Sequence, residues 1–140
     1  MEVIETKLPG VVIIEPKVYG DERGFFLESF SVDRYKAMIG IDLPFVPDSP
    51  TYGQYESVVL SEENHRQFWV PPGYAHGFVV LSDVADFEYK CTDYYDPSDE
   101  GSVAWNDPEI NIDWMTDKPL LSEKDDNAPT LAKLREVGVK

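Results

Sequence analysis

The chain has 140 residues, enough for one domain around one core, and 42 % hydrophobic with 13 % aromatic residues is too apolar for disorder. Against 12 basic residues stand 27 acidic ones, a net charge of −15 that excludes nucleic acid and anionic membranes as partners. Any anionic ligand therefore needs a locally basic pocket. Cys91 is the only cysteine, which rules out an intrachain disulfide, and its place in a strand-like run predicts a buried thiol. With two histidines and no zinc spacing, no metal site is expected. The longest early apolar run, Val11 to Ile14, is too short for a signal core or a membrane span, which places the expected protein in the cytoplasm.

Met1 to Pro9 alternates weakly and reads as an edge strand or arm. Val11 to Ile14 reads as a short buried strand ended by Pro16. Asp21 to Gly24 is a turn signal, and Phe25 to Phe30 a strand carrying Glu28. Ser31 or Asp33 can cap a short helix through Ile39, stopped by Gly40. Ile41 to Thr51 has three prolines and no periodicity, so it is loop. Tyr55 to Leu60 reads as a strand and Ser61 to Asn64 as a turn. Three more strands follow at Gln67 to Val70, Phe78 to Leu81 and Ala85 to Cys91, cut apart by Pro71-Pro72-Gly73 and by Ser82-Asp83. Asp96 to Gly101 is a turn, Val103 to Trp105 a short strand and Asn106 to Pro108 a further turn. Thr130 to Val137 suits a terminal helix. About seven short strands with frequent turns, and no linker or repeat, predict a single all-β sandwich or barrel.

Within this pattern His76 falls in the turn between two strands. On the run Ala85 to Cys91, Phe87 and Tyr89 share one face and Glu88 and Lys90 the other. An imidazole and a phenol can then look into the mouth of one small barrel. Taken alone, both residues are explained at least as well without chemistry, His76 as a hydrogen-bonded turn residue and Tyr89 as core.

Four segments shift that balance: Leu8 to Phe30 (LPGVVIIEPKVYGDERGFFLESF), Ser49 to Ser82 (SPTYGQYESVVLSEENHRQFWVPPGYAHGFVVLS), Phe87 to Pro97 (FEYKCTDYYDP), and Trp105 to Asp125, with WNDPEINIDW and LLSEKD. Together they strongly resemble the dTDP-4-dehydrorhamnose 3,5-epimerase family of cupin-fold sugar-nucleotide enzymes. The resemblance covers most of the chain in the family's order. It implies a cupin-like jelly-roll barrel with short peripheral helices over residues 1–140, no metal or cofactor, a dTDP-sugar ligand and a homodimer.

The family's chemistry, as the resemblance implies it, removes the protons at C3 and C5 of a 4-keto sugar. A neutral His takes each proton, an Asp orients that His, a Lys steadies the enolate oxygen, and a Tyr on the opposite face returns the proton. By the same resemblance Tyr89 matches the acid and Asp125 the orienting carboxylate. Arg23, Glu28, His76, Glu100 and Lys124 match substrate-binding positions, with Tyr95 a nearby substitute for Tyr89 or a sugar contact. The plain reading of Arg23 and Glu28 is a turn-stabilising ion pair, and that of Glu100, Lys124 and Asp125 solvated surface charge.

The chain also departs from the family. After Phe45-Val46 the family continues through a long segment that carries the base in an Arg-Gly-Leu-His motif, the enolate-stabilising Lys and nucleotide contacts. Here Val46-Pro47-Asp48-Ser49-Pro50 runs straight across, and no such motif exists. His65, in a charged turn, reads as a solvated surface residue and does not replace the base. The expected fold is therefore shortened in its middle, with inner strands lost. Two functions compete: an impaired 3,5-epimerase of nucleotide-rhamnose synthesis, and a non-catalytic sugar-nucleotide binder or assembly protein derived from that family. A metal-dependent cupin oxygenase is the weakest reading, because its His/Glu ligand cluster is lacking.

Overall fold

The computed structural model describes residues 1–22, 24–28 and 49–137. The expected helix from Ser31 to Ile39 and most of the loop after it lie outside the described residues. So does Arg23. The chain divides into two compact units, Met1–Tyr74 and Ala75–Lys140.

The first unit is built on a three-stranded antiparallel sheet in the order β1 (Glu2–Glu5), β2 (Val12–Glu15), β5 (Gln67–Trp69). Its central strand, Val12-Ile13-Ile14, is β-branched throughout, the chemistry a pleated and covered surface favours. Val12 and Ile14 are buried, with Met1, Val3 and Trp69 packed against them. The register sets Val3 opposite Ile14 and Val12 opposite Trp69, so the apolar side chains of all three strands meet. A tight connection joins β1 to β2. Thr6 Oγ1 donates to the Val11 carbonyl at 2.9 Å, and Gly10 sits at φ 76°, where a side chain is strained. One position beyond the β2–β5 ladder, Arg66 Nε donates to Glu15 Oε1 at 2.8 Å. This pair is partly exposed and contributes little stability.

A separate hairpin pairs β3 (Val18–Asp21) with β4 (Gly24–Leu27), Tyr19 opposite Phe26. The sequence reading missed β3, because Gly20 and Asp21 are poor strand formers. Tyr19, Phe25 and Phe26 are all exposed. The turn expected at Ser61 to Asn64 is present. Asn64 Oδ1 accepts from the Ser61 and Arg66 amides, and Ser61 Oγ from the Asn64 amide. The strand expected at Tyr55 to Leu60 is not: those residues join no ladder.

The second unit contains no strand among its described residues. This corrects the expected strands at Phe78 to Leu81, Ala85 to Cys91 and Val103 to Trp105. Alternation gives a segment two faces, but a strand exists only where a neighbour takes its backbone hydrogen bonds. The same lack of cover leaves Phe78, Phe87 and Tyr89 exposed at 61, 53 and 71 %. Cys91, expected to be buried, is exposed as well.

What organises this unit is Asp107, 2 % exposed. Its Oδ1 accepts from the Glu109 and Ile110 amides, each at 3.0 Å, and its Oδ2 from the Leu131 amide at 2.8 Å. The Ala104 amide donates to the Pro129 carbonyl at 2.8 Å. One carboxylate thus ties the Asn106-Asp107-Pro108 turn to the start of the terminal helix, with Ala104 and Leu131 buried. Short helices complete the unit: a 3₁₀ turn at Pro97–Asp99, α1 at Glu123–Asp126 and α2 at Leu131–Val137. The expected terminal helix and α2 agree to one residue. Thr130 precedes it, its Oγ1 accepting from the Lys133 amide. Among the described residues no helix is long and apolar enough to cross a membrane, and no cluster of His, Cys, Asp and Glu is fit to hold a metal.

Candidate functional site

Lys124 enters the site from the first turn of α1, whose N-cap is Ser122. Its Nζ donates to Glu100 Oε2 at 2.6 Å. Glu100 ends the 3₁₀ turn that Asp96 caps, with Asp96 Oδ1 accepting from the Ser98 amide at 2.9 Å. Tyr95, just before that turn, hydrogen-bonds through its hydroxyl to the same Glu100 carboxylate. Three residues picked from the resemblance alone, Tyr95, Glu100 and Lys124, therefore form one connected group.

The group sets its own protonation. Glu100 is held below the usual carboxylate range, first by the Lys124 hydrogen bond and then by Tyr95. Lys124 is raised, chiefly by Glu100. Tyr95 is raised above the ordinary phenol value, first because its proton is shared with Glu100 and next because of that carboxylate's charge. At neutral pH the group is a phenol, a carboxylate and an ammonium: a proton donor beside a fixed cation. Tyr89 is close enough for its charge to oppose ionisation of Tyr95.

Tyr89 belongs to an aromatic row. Phe78 stacks on Phe87 with centroids 4.2 Å apart, and Phe87 meets Tyr89 at 5.6 Å. On the other side Glu88 pairs with Lys90, which lowers Glu88 through that hydrogen bond. The expected alternation of faces is therefore real even though the ladder is not.

Asp125 follows Lys124 on α1. Ser122 Oγ donates to Asp125 Oδ2 at 2.7 Å and accepts from the Asp125 amide at 3.1 Å. The carboxylate that the resemblance assigns to orienting a His is here held by a cap serine. His76 is exposed. His65, expected to be solvated, is half-buried, with its ring 4.6 Å from that of Phe25 and its backbone at φ 51°. In the first unit Glu28 lines a small cavity of about 60 Å³ with Met1, Pro16, Lys17 and Tyr19.

A larger cavity, about 480 Å³, lies between Trp105, Ile112, Trp114 and Met115, with Asp113 and Asp117 on its wall. Trp114 Nε1 donates to the Trp105 carbonyl at 2.7 Å, and Asn111 and Met115 take φ values near 50° to let the loop turn. None of the expected site residues lines it. The run WNDPEINIDW carried it in the sequence, but as a family marker rather than as a cavity.

A family model described as dTDP-4-dehydrorhamnose 3,5-epimerase matches residues 5–49 and 44–133. The chain belongs to the dTDP-4-dehydrorhamnose 3,5-epimerase family. The epimerase of Salmonella typhimurium is 42 % identical over 175 residues, covering 94 % of this chain and 96 % of that protein. The crystal structure of the dTDP-6-deoxy-D-glucose-3,5-epimerase of Legionella pneumophila, in complex with dTDP-4-keto-L-rhamnose, superposes with a TM-score of 0.88 at 41 % identity, covering 94 % of this chain and 93 % of that one. A 3′-monoepimerase from Streptomyces bikiniensis, in complex with dTDP-quinovose, gives 0.88 at 27 % identity, covering 97 % and 91 %.

The same comparisons locate the shortening. An alignment of 175 positions exceeds the 140 residues of this chain by 35, so at least that many positions face a gap. The family model breaks its match at 44–49. The family match is thus split in the sequence around Val46-Pro47-Asp48.

Proposed function

We propose that this chain is a shortened dTDP-4-dehydro-6-deoxyglucose 3,5-epimerase of nucleotide-rhamnose synthesis that keeps a sugar-nucleotide site and has lost most of its catalytic power. The observation that carries the reading is the family match split at 44–49, beside an alignment to a relative whose 175 positions exceed the 140 residues of this chain by 35. Two related structures hold dTDP-sugars, which supports a ligand of that class.

In this reading Tyr89 is the acid that returns a proton to the sugar, and Tyr95 backs it or contacts the sugar. Glu100 keeps Tyr95 protonated, and Lys124 offers the cation that a developing oxyanion or a phosphate needs. His76 and Glu28 bind sugar or base, and Arg23 binds the diphosphate. The base is what fails. Asp125, whose Oδ2 accepts from Ser122 Oγ, keeps the position that would orient a His, but no Arg-Gly-Leu-His motif supplies that His. Losing a general base costs ~10²–10⁴-fold in rate. No metal or cofactor enters the scheme.

The reading includes a single cupin-like domain over residues 1–140, a reduced jelly-roll barrel, a cytoplasmic location and a homodimer. Exposed Tyr19, Phe25 and Phe26 on the β3–β4 hairpin favour association. Calorimetric titration with dTDP tests the site: saturable heat is expected, and none at millimolar ligand removes both the epimerase and the sugar-nucleotide-binder readings.

A further inference from the structure

Tyr95 and Glu100 stand five positions apart, about 17 Å along an extended chain, yet the Tyr95 hydroxyl meets the Glu100 carboxylate. The chain folds back between them in the 3₁₀ turn Pro97–Asp99. On either side the backbone is extended, with Asp96 at φ −125° and ψ 109° and Glu100 at φ −77° and ψ 130°. The reversal is therefore confined to that turn, and whatever holds the turn sets where the Glu100 carboxylate lies.

Two residues hold the turn. Pro97 opens it with φ fixed by its ring. Asp96 caps it: its Oδ1 accepts from the Ser98 amide at 2.9 Å and from Ser98 Oγ at 2.7 Å. These bonds keep the Asp96 carboxyl below the usual carboxylate range, the hydroxyl bond first, so the cap is ionised wherever a phenol titrates. Packing adds little, because Asp96, Pro97, Ser98 and Glu100 are all exposed. Removing an Asp cap typically lowers the population of the capped turn by about fivefold. The other half of the ion pair is fixed separately, since Ser122 caps the helix that carries Lys124.

We infer that Asp96 is a positioning residue of this site: by capping the turn at Pro97–Asp99 it holds the Glu100 carboxylate where that group meets both the Tyr95 hydroxyl and the Lys124 ammonium. The charged and titratable groups acting on the phenol are Glu100, Lys124 and Tyr89, with Asp125 acting on Lys124. Of these four, Glu100 alone rides on the capped turn. Opening the turn therefore withdraws the group that most strongly keeps Tyr95 protonated and leaves the others in place. The part Asp96 plays in ligand recognition rests on the reading that Tyr95 and Lys124 meet a sugar nucleotide; the placement of Glu100 does not.

The test follows the Tyr95 titration in the full 140-residue chain by carbon-13 NMR of labelled tyrosine rings, with Tyr95→Phe for assignment. Asp96→Ala is expected to move that titration down, in the same direction as Glu100→Gln. Asp96→Asn keeps the capping oxygen and drops the charge, and is expected to titrate as the parent does. Hydrogen-exchange protection of α2 is expected to be unchanged in both variants, because the turn is exposed. Three results overturn the inference: an unmoved titration in Asp96→Ala, an equal fall in Asp96→Asn, which would make the charge and not the cap responsible, or loss of α2 protection in Asp96→Ala, which would give Asp96 a general structural role. The titration involves no nucleotide. Absence of dTDP binding in the parent would remove the sugar-nucleotide reading and leave each of these outcomes readable on its own.

Discussion

Lys124 reaches across 24 residues of sequence to place its ammonium 2.6 Å from the Glu100 carboxylate. Glu100 in turn holds the proton of Tyr95. The cation, carboxylate and phenol are exposed enough that their value lies in positioning rather than stability. The phenol is expected to titrate above the ordinary tyrosine range. Glu100→Gln removes the carboxylate that raises it, so the Tyr95 titration moves down. Carbon-13 NMR of labelled tyrosine rings, with Tyr95→Phe as the assignment control, checks this. An unmoved titration in Glu100→Gln would break the link.

Asp107 carries the prediction about stability. Its carboxyl is held below the ordinary value of 3.8, first by the Leu131 amide and then by the Ile110 and Glu109 amides, against the cost of burial. The folded group titrates below the unfolded one. Its contribution is therefore fully present above the unfolded value and disappears as pH falls through the folded value. Asp107→Ala leaves three amides without their acceptor and is expected to cost about 2 kcal/mol or more. Loss of hydrogen-exchange protection should begin in α2, because Leu131 is one of the three. Denaturant melts at pH 7 and at pH 3 check both statements: the gap between parent and variant narrows at the lower pH.

What the sequence made legible follows from how local each signal is. Thr130 before Leu131-Ala132-Lys133-Leu134 is a helix start written in adjacent residues, and the helix is there. The three β-branched residues at 12–14 mark a covered strand in the same way. The alternation of Phe87 and Tyr89 with Glu88 and Lys90 is legible as two faces, but a ladder depends on a distant partner that no local pattern contains. Asp107 was seen only as a turn residue. Its reach to the Leu131 amide, 24 positions on, has no sequence signature. The grouping of Tyr95, Glu100 and Lys124 was legible only through the family resemblance, since isolated charges in turns carry no signal of their own.

Arg23 bears the prediction about binding. A chain of net charge −15 attracts a diphosphate only through a specific cation. Arg23→Ala is expected to weaken dTDP binding by about tenfold or more. Equal calorimetric affinity in parent and variant would remove Arg23 from the site.

Association is the next expectation. Exposed aromatic side chains on the β3–β4 hairpin favour a dimer or larger assembly. Light scattering at low micromolar concentration should give at least twice the monomer mass, and a purely monomeric reading would contradict it.

As proposed, the shortened chain keeps an acid and lacks a base. Tyr89 and Tyr95 remain as phenols, while Asp125 is engaged by Ser122 and no Arg-Gly-Leu-His base motif exists. The most direct measurement incubates dTDP-4-keto-6-deoxyglucose with the protein in deuterated water and follows C3 and C5 by NMR. No deuterium uptake at either carbon beyond the rate without protein is expected. Protein-dependent uptake would contradict it by showing that a working base survives, and its loss in Tyr89→Phe would identify the acid that works with it.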